Sequence, residues 1–391
     1  MTSTGDSKLN VAILQPALPK YRIPMFRQLN QRFRIKVLFG SEKHLDNDGT
    51  AAFENCPIRE RGFKPRSGKG LLWSWSQIRI CGDASWDVVV LPWNTRYLSL
   101  IPALLRARLN GIPTILWGHG YSKNSGRFRT WARNQITSLA TAVLFYDPVT
   151  KSKFQKLTDR ENCFAAPNTI DPAPAQECIE AWEQSDRLTQ FQKETQIEER
   201  DVLLFVSRFD PNNRLDLLIR ALPKISTKRK NILAVIIGSG PDEERLKALV
   251  TELGCEESVL FTGPIYEETE LAPWFLNARL FCYPSNVGLS LMHSFVYGVP
   301  ALIGDDFSRC NPEVYAFEDG INGVTFEDGD PTSLAEKIVG LLGDEKTLTR
   351  LSEGAKRTAT EVTTLDRFVD GYTEAIEFAT STKPKNRLDR N

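Results

Sequence analysis

What this chain lacks narrows its reading first. No window approaches the ~18 consecutive apolar residues of a membrane-spanning helix, which excludes a helical membrane protein. The N-terminal MTSTGDSKLN is polar and lacks a signal peptide's apolar core. The seven cysteines (Cys56, Cys81, Cys163, Cys178, Cys255, Cys282, Cys310) are odd in number, widely spaced and free of any CxxC pair. That spacing supports neither a zinc site nor a disulfide framework and fits a reducing cytoplasm. Histidine is scarce, at His44, His119 and His293 only. Net charge is absent too, with 49 Lys and Arg against 49 Asp and Glu.

That zero balances two unequal halves. Residues 1–170 hold 25 Lys and Arg against 11 Asp and Glu, and residues 171–391 hold 24 against 38. Either two domains attract each other across a cleft, or the N-terminal half faces an anionic membrane surface or a phosphate-bearing acceptor; both can hold. Nucleic acid is not expected, because no binding motif accompanies the charge. At 391 residues, 41% apolar and 25% charged, the chain is long enough for two soluble domains with their own cores.

Apolar runs alternate with helix-spaced segments through both halves. In the first, strands are expected at 10–16, 34–40, 87–93, 113–120 and 142–147, with helices near 22–31, 96–110 and 127–140. In the second, the runs at 201–207, 231–238, 258–263, 279–284 and 299–304 restart the pattern. Such alternation implies parallel sheets covered on both faces. The prolines of PNTIDPAPAQ (167–176) mark a hinge, and 177–200 reads as one helix entering the second domain.

Three loops after strands in the second half suit an anion. Ser207-Arg208-Phe209-Asp210-Pro211-Asn212-Asn213-Arg214 puts two guanidinium groups beside a helix start, where they can fork onto phosphate oxygens. Gly238-Ser239-Gly240-Pro241 approaches a GxGxxG run, but Glu243 takes the third glycine's place, so the dinucleotide fingerprint is not met. Pro284-Ser285-Asn286-Val287-Gly288-Leu289 feeds small residues into a helix whose N–H groups can meet phosphate, with Gly288 allowing close approach. His119 ends the run ILWGHG and His293 lies on the helix after the third loop. Asp305-Asp306 reads as a strand-end turn rather than a metal site, and no glycosidase-like carboxylate pair stands out.

The segments FVSRFDPNNRLDLLIRAL (205–222), VIIGSGPDEERLKALVTELG (235–254), 259–285 and 286–303 resemble, in order, the retaining glycosyltransferases of family 4, the "group 1" family. AAPNTIDP (165–172) is similar to that family's interdomain signature, and QPALPKYRIPMFRQL (15–29) and WGHG resemble its N-terminal half more weakly. The resemblance implies an α/β fold of GT-B architecture, two doubly wound Rossmann-like domains facing each other across a cleft. Residues 1–170 would bind acceptor; residues 171–391, including the C-terminal helix, would bind the nucleotide-sugar donor. Arg208 matches the family's arginine, whereas its lysine falls on Asn213 and its glutamate pair on Ser285 and His293.

On this reading the catalytic set is His119, facing the donor sugar, with Arg208 and Arg214 on the diphosphate. Donor-binding residues are Asn213, Gly238, Ser285, Asn286, Val287, Gly288, Leu289, His293 and Glu313, and Tyr21 and Arg22 lie on the acceptor side. The resemblance implies retention of configuration with no metal or cofactor, the nucleotide sugar being a substrate. The expected function is sugar transfer to a glycan or lipid-linked acceptor in bacterial polysaccharide assembly. Alternatives are a sugar-nucleotide epimerase, or a nucleotide-sugar-binding protein that has lost turnover with its glutamates. The basic residues of 61–79 around Trp73 and Trp75 suit an anionic membrane, unless both tryptophans lie under the sheet. The expected location is cytoplasmic, peripheral on the inner membrane face.

Overall fold

The computed structural model describes residues 8–40, 52–63, 70–120 and 127–382. His44 and the basic residues Lys64, Arg66 and Lys69 lie outside them. None of the described helices is long and apolar enough to cross a membrane. Backbone contacts divide the chain into two units, residues 1–168 with 365–391, and residues 169–364.

Unit 1 runs β1 (Asn10–Gln15), α1 (Ile23–Arg32), β2 (Arg34–Phe39), β3 (Glu54–Pro57), a hairpin of β4 (Arg61–Phe63) and β5 (Leu71–Trp73), and α2 (Trp75–Ile80). It continues through β6 (Val88–Pro92), α3 (Leu100–Leu109), β7 (Thr114–Gly118), α4 (Arg127–Thr137), β8 (Ala142–Phe145), α5 (Pro148–Thr158) and β9 (Cys163–Ala165). Seven parallel strands lie in the order β3-β2-β1-β6-β7-β8-β9. Strands β6, β7 and β8 are wholly buried, because helices cover both faces. Steps from β6 to β9 all move one way, so right-handed crossovers put α3, α4 and α5 on one face. There Leu100, Leu104 and Phe154 join one core, while α1 packs a second core on the opposite face.

Unit 2 opens with α6 (Ala173–Glu183) and α7 (Arg187–Thr195). The single helix expected over 177–200 is therefore two. Ser185 hydrogen-bonds back to the Ala181 carbonyl, and with Asp186 it supplies the locally bonding side chains that disfavour helix interiors. Then follow β10 (Asp201–Val206), α8 (Leu215–Ser226), β11 (Ile232–Ile237), α9 (Glu243–Glu252), β12 (Val259–Gly263), α10 (Glu268–Asn277), β13 (Ala278–Tyr283), α11 (Ser290–Val296), β14 (Ala301–Gly304), β15 (Gly323–Phe326), α12 (Pro331–Leu342) and α13 (Glu345–Glu361). The parallel order β12-β11-β10-β13-β14-β15 is that of a doubly wound dinucleotide fold, with its switch point between β10 and β13.

The last helix, α14 (Leu365–Ser381), departs from the expected boundary at 170/171. It packs on unit 1 rather than on the preceding domain. Phe368, Tyr372, Ala375 and Ala379 recur at helical spacing, all fully buried in the core beneath α1. A Cβ on Gly371 would sit 1.8 Å from the Ala165 carbonyl oxygen, so only glycine lets α14 approach β9 this closely.

Candidate functional site

In doubly wound sheets, ligands enter beyond the carboxyl ends of the strands at the switch point. In unit 2 that edge is stitched together by side chains. Ser207 Oγ, just past β10, lies 2.7 Å from the Tyr283 hydroxyl at the end of β13. Asn213 Nδ2 donates to Ser207 Oγ at 3.2 Å and to the Arg208 carbonyl at 2.7 Å. Asn286 Nδ2 donates to Asn213 Oδ1 at 2.7 Å, and Asn311 Nδ2 donates to the Asn286 carbonyl at 3.0 Å. Asn286 holds φ of 56°, the left-handed region asparagine tolerates. Burial pushes the Tyr283 hydroxyl up in pKa, so it stays a neutral link.

Asn213 is 3% exposed and all its polar atoms are engaged. Its side chain ties together the loops that carry Ser207, Arg208 and Asn286. Ser285 and Val287 are buried as well, so neither side chain reaches the surface of the loop. Glu313 is buried in a short turn at Pro312–Ala316, beside Asn311, whose N–H donates to the Val287 carbonyl.

Gly238 adopts φ of 142°, and a Cβ there would fall 2.0 Å from the Ser207 carbonyl oxygen. This glycine contributes the close approach of two strand-end loops. Phe209 N–H donates to the Ser239 carbonyl at 2.9 Å across that approach.

The two arginines part company. Arg208 is exposed, and among the described residues its guanidinium has no hydrogen-bond or ion-pair partner. Arg214 instead forks onto Asp216, Nε to Oδ1 at 3.1 Å and Nη2 to Oδ2 at 3.4 Å. Arg245 stands 4.0 Å from the same carboxylate and pairs mainly with Asp242 at 2.6 Å. Alternating charges thus largely spend Arg214 within the protein, and Arg208 is left to face solvent.

The third loop offers donors. The N–H groups of Gly288, Leu289 and Ser290 give no hydrogen bond to any described residue, and all three residues are partly exposed. No protein atom crowds the space over Gly288, where a Cβ would meet only Asn311 Nδ2 at 3.6 Å. Since α11 is only seven residues long, these donors count for more than its dipole.

His293 is committed elsewhere than expected. Its Nε2 lies 3.1 Å from Glu268 Oε2, and the Tyr297 hydroxyl donates to Glu268 Oε1 at 2.6 Å. Burial pushes the Glu268 carboxyl up, but the hydrogen bonds and charge of His293 and the Tyr297 hydroxyl outweigh it and leave the carboxyl below its usual range. With its folded pKa depressed, Glu268 adds stability above the ordinary glutamate pKa of ~4.3. That contribution is lost as pH falls through the folded value. Glu268→Ala is expected to lower stability at neutral pH by about 1–3 kcal/mol by leaving the buried Tyr297 hydroxyl and the half-buried His293 without their acceptor. It should matter less in acid; equal destabilisation at pH 3 and pH 7 in denaturant melts would contradict this role.

Unit 1 gathers its own candidates at the carboxyl edge of its sheet. His119 is exposed just past β7, with its ring 4.5 Å from that of Tyr146. Tyr21 is half-buried, while Arg22 lies under it with its guanidinium 4.7 Å from the Trp117 ring.

Residues 186–358 match the model of the family described as glycosyl transferases group 1. That match covers most of unit 2. Every donor-side candidate from Arg208 to Glu313 falls inside this group 1 domain. The chain is 30% identical to N-acetyl-alpha-D-glucosaminyl L-malate synthase of Bacillus anthracis over 51% of each chain. It is 31% identical to D-inositol 3-phosphate glycosyltransferase of Thermobispora bispora over 47% of this chain and 45% of that one. The chain thus matches about half the length of these curated relatives. In fold it is similar to Anabaena Alr3699/HepE in complex with UDP, at TM-score 0.69 and 14% identity, covering 94% of this chain and 99% of that one. Together with its two doubly wound units, this likeness gives the fold as GT-B.

Sequence reasoning missed the parts of the group 1 domain that hold its loops. Tyr283 lies 76 residues from its partner Ser207, Asn311 lies 25 from Asn286, and Glu268 lies 25 from His293. No local pattern marks such pairings. Only the strand order, which sets β13 beside β10, could have suggested the first.

Proposed function

We propose that this protein is a glycosyltransferase that moves a sugar from a nucleotide-sugar donor to an acceptor held by unit 1. The observation that carries this reading is the pairing, at the switch point of the group 1 domain, of an unpartnered Arg208 with three unused N–H groups. The hard step is departure of a nucleoside diphosphate as its negative charge grows. A fixed cation and preorganised donors lower that barrier without reorganising. Arg208 and the N–H groups of Gly288, Leu289 and Ser290 perform this task, with Arg214 adding residual charge tempered by Asp216. The protein's own cation, rather than a metal, meets the diphosphate, and the configuration of the sugar is retained. His119 serves the donor sugar. With Ser285 buried and His293 paired to Glu268, the two positions of the family's glutamates support the loop, and nucleotide contacts fall to backbone donors.

The relatives reported above are named for sugar transfer or for synthesis, which favours a transferase over an epimerase. A thermal-shift screen tests the reading, since a ligand bound only by the native state raises its midpoint by mass action. Nucleoside diphosphates and their sugars should stabilise the protein, and the matching nucleosides should not. No shift with any nucleoside diphosphate would overturn the assignment.

The acceptor side works at an anionic membrane surface. Along α3 the buried stripe Leu100, Ala103, Leu104 and Ala107 is matched by an outward one, Ile101, Leu105 and Leu109, the last 88% exposed, and exposed Leu98 lies just ahead of the helix. A helix apolar on both sides calls for a second apolar neighbour. Trp75 on α2 is 58% exposed with half-buried Trp73 beside it, so neither lies under the sheet. Lys153, Lys156, Val149 and Leu157 add cations and apolar surface on α5, which covers the same sheet face. The protein should co-sediment with anionic liposomes at low salt and less at high salt, each basic residue near the surface contributing about 1 kcal/mol. Leu105→Glu with Leu109→Glu should weaken binding about tenfold or more. Equal recovery with neutral liposomes, or no effect of the double substitution, would contradict this surface.

A further inference from the structure

Helix α5 follows β8 directly. Asp147 caps it at the carboxyl edge of the unit 1 sheet, accepting from the Thr150 N–H at 2.6 Å. The outward face of α5 opens as a surface cleft of about 650 Å³ lined by Pro148, Val149, Ser152, Lys153, Lys156 and Leu157. These positions recur every four residues and so form one stripe along the helix. Val149 and Leu157 are exposed, while Phe154 turns inward to the core.

The residues of α5, PVTKSKFQKLT, include three lysines and no acid. Lys153 and Lys156 stand three apart on the exposed stripe, so their like charges are neighbours and repel. Among the described residues, the Lys156 ammonium and the Ser152 hydroxyl have no hydrogen-bond or ion-pair partner. Around these polar heads the lining is apolar: Pro148, Val149, Leu157 and the methylene stems of the lysines. Cations set in an apolar cleft match an anion with a hydrocarbon body. A bare phosphate would leave the apolar walls wet, and a neutral lipid would leave the two like charges facing each other. The cleft follows one helix, a breadth that suits a single chain.

We propose that the α5 cleft binds a single-chain lipid phosphate, the carrier end of the acceptor. Lys153, Lys156 and Ser152 meet the phosphate, and the chain runs along Leu157. That this lipid is the acceptor rests on the transferase reading; the ligand class of the cleft does not. Lys153 and Lys156 lie five and eight residues beyond Pro148, about 8–12 Å along a helix. That distance leaves room for the acceptor's sugar between the phosphate and the edge where His119 and Tyr146 stand. Because α5 covers the same sheet face as α3, the chain leaves the cleft on the side that carries Ile101, Leu105 and Leu109.

The test is calorimetric titration of the full chain with farnesyl phosphate below its micelle concentration. Farnesol, inorganic phosphate and a short-chain phosphatidylglycerol are the controls. It is run in Arg208→Ala, which removes the unit 2 cation from the comparison. Farnesyl phosphate should bind at one site, about tenfold or more tighter than each control, since only it combines a terminal phosphate with one chain. Adding Lys153→Gln with Lys156→Gln should weaken it about tenfold or more without moving the melting temperature, because both lysines are exposed. Leu157→Gln should weaken farnesyl phosphate and leave inorganic phosphate unchanged. Inorganic phosphate binding as tightly would reduce the cleft to an anion patch, and farnesol binding as tightly would reduce it to an apolar face. Phosphatidylglycerol binding as tightly would make it part of a general membrane surface. Each of these, or an affinity untouched by the lysine substitutions, overturns the proposal. Nucleoside diphosphate binding by the lysine double variant with Arg208 intact should equal wild type. A wild type that binds farnesyl phosphate but no nucleoside diphosphate would overturn the transferase reading instead and leave the cleft standing.

Discussion

Arg208→Ala is expected to weaken nucleotide-sugar binding roughly 10- to 150-fold, the equivalent of losing one charge-assisted hydrogen bond of about 1.5–3 kcal/mol. Turnover should fall with it, because the same charge meets the leaving diphosphate as it gains negative charge. The melting temperature should not move, since Arg208 is exposed and has no partner among the described residues. Arg214→Ala provides the contrast. It strips a forked partner from Asp216, which is buried and would keep only Arg245 at 4.0 Å, so stability should drop along with affinity. Titration calorimetry and melting curves on both variants separate the two roles. Donor affinity within twofold of wild type for Arg208→Ala would remove it from the phosphate site.

Asn213→Ala should be the more damaging change to the fold of the site. One side chain satisfies Ser207 Oγ, the Arg208 carbonyl and Asn286 Nδ2, at 3.2, 2.7 and 2.7 Å. Removing it leaves several polar groups unmatched in a nearly buried place, at about 1–3 kcal/mol for each that water cannot reach. A loss of about 2–4 kcal/mol is expected overall, because such effects share partners and do not add. Donor affinity should fall with stability, since the loops carrying Arg208 and Gly288 lose their tie. Asn213→Lys, the residue of the resembled family, should not rescue this. A lysine offers no acceptor to Asn286 and would bury a charge. Wild-type melting of Asn213→Ala would show that the loops hold without the hub.

The central strands of both sheets were legible because fully covered parallel strands need unbroken apolar runs, and Val88–Pro92 or Ile232–Ile237 can be little else, whereas the short, partly exposed β3, β9 and β15 carry no such run and were missed. The resemblance implied a doubly wound domain, which unit 2 is, and the loops bearing Arg208, Gly238 and Gly288 fell at strand ends as read. What sequence could not give was the partner of each group. The stripe of Phe368, Tyr372, Ala375 and Ala379 says that α14 packs, yet not against which sheet. His293 looked available because Glu268 stands on a different helix, and Arg214 because Asp216 could equally have faced water. In α3 the two apolar stripes were present in LIPALLRARL, but only the structure separates the buried from the exposed one.

The central claim is that the donor diphosphate lies on the loops after β10, β11 and β13 of unit 2. Hydrogen-exchange mass spectrometry with and without a nucleoside diphosphate tests it most directly, because the N–H groups of Gly288, Leu289 and Ser290 have no protein acceptor among the described residues to slow them. Bound ligand should protect peptides covering 207–214, 238–241 and 284–290, and this protection should vanish in Arg208→Ala. Saturating ligand that leaves those three segments exchanging as in the free protein, with protection elsewhere in the chain, would contradict the account.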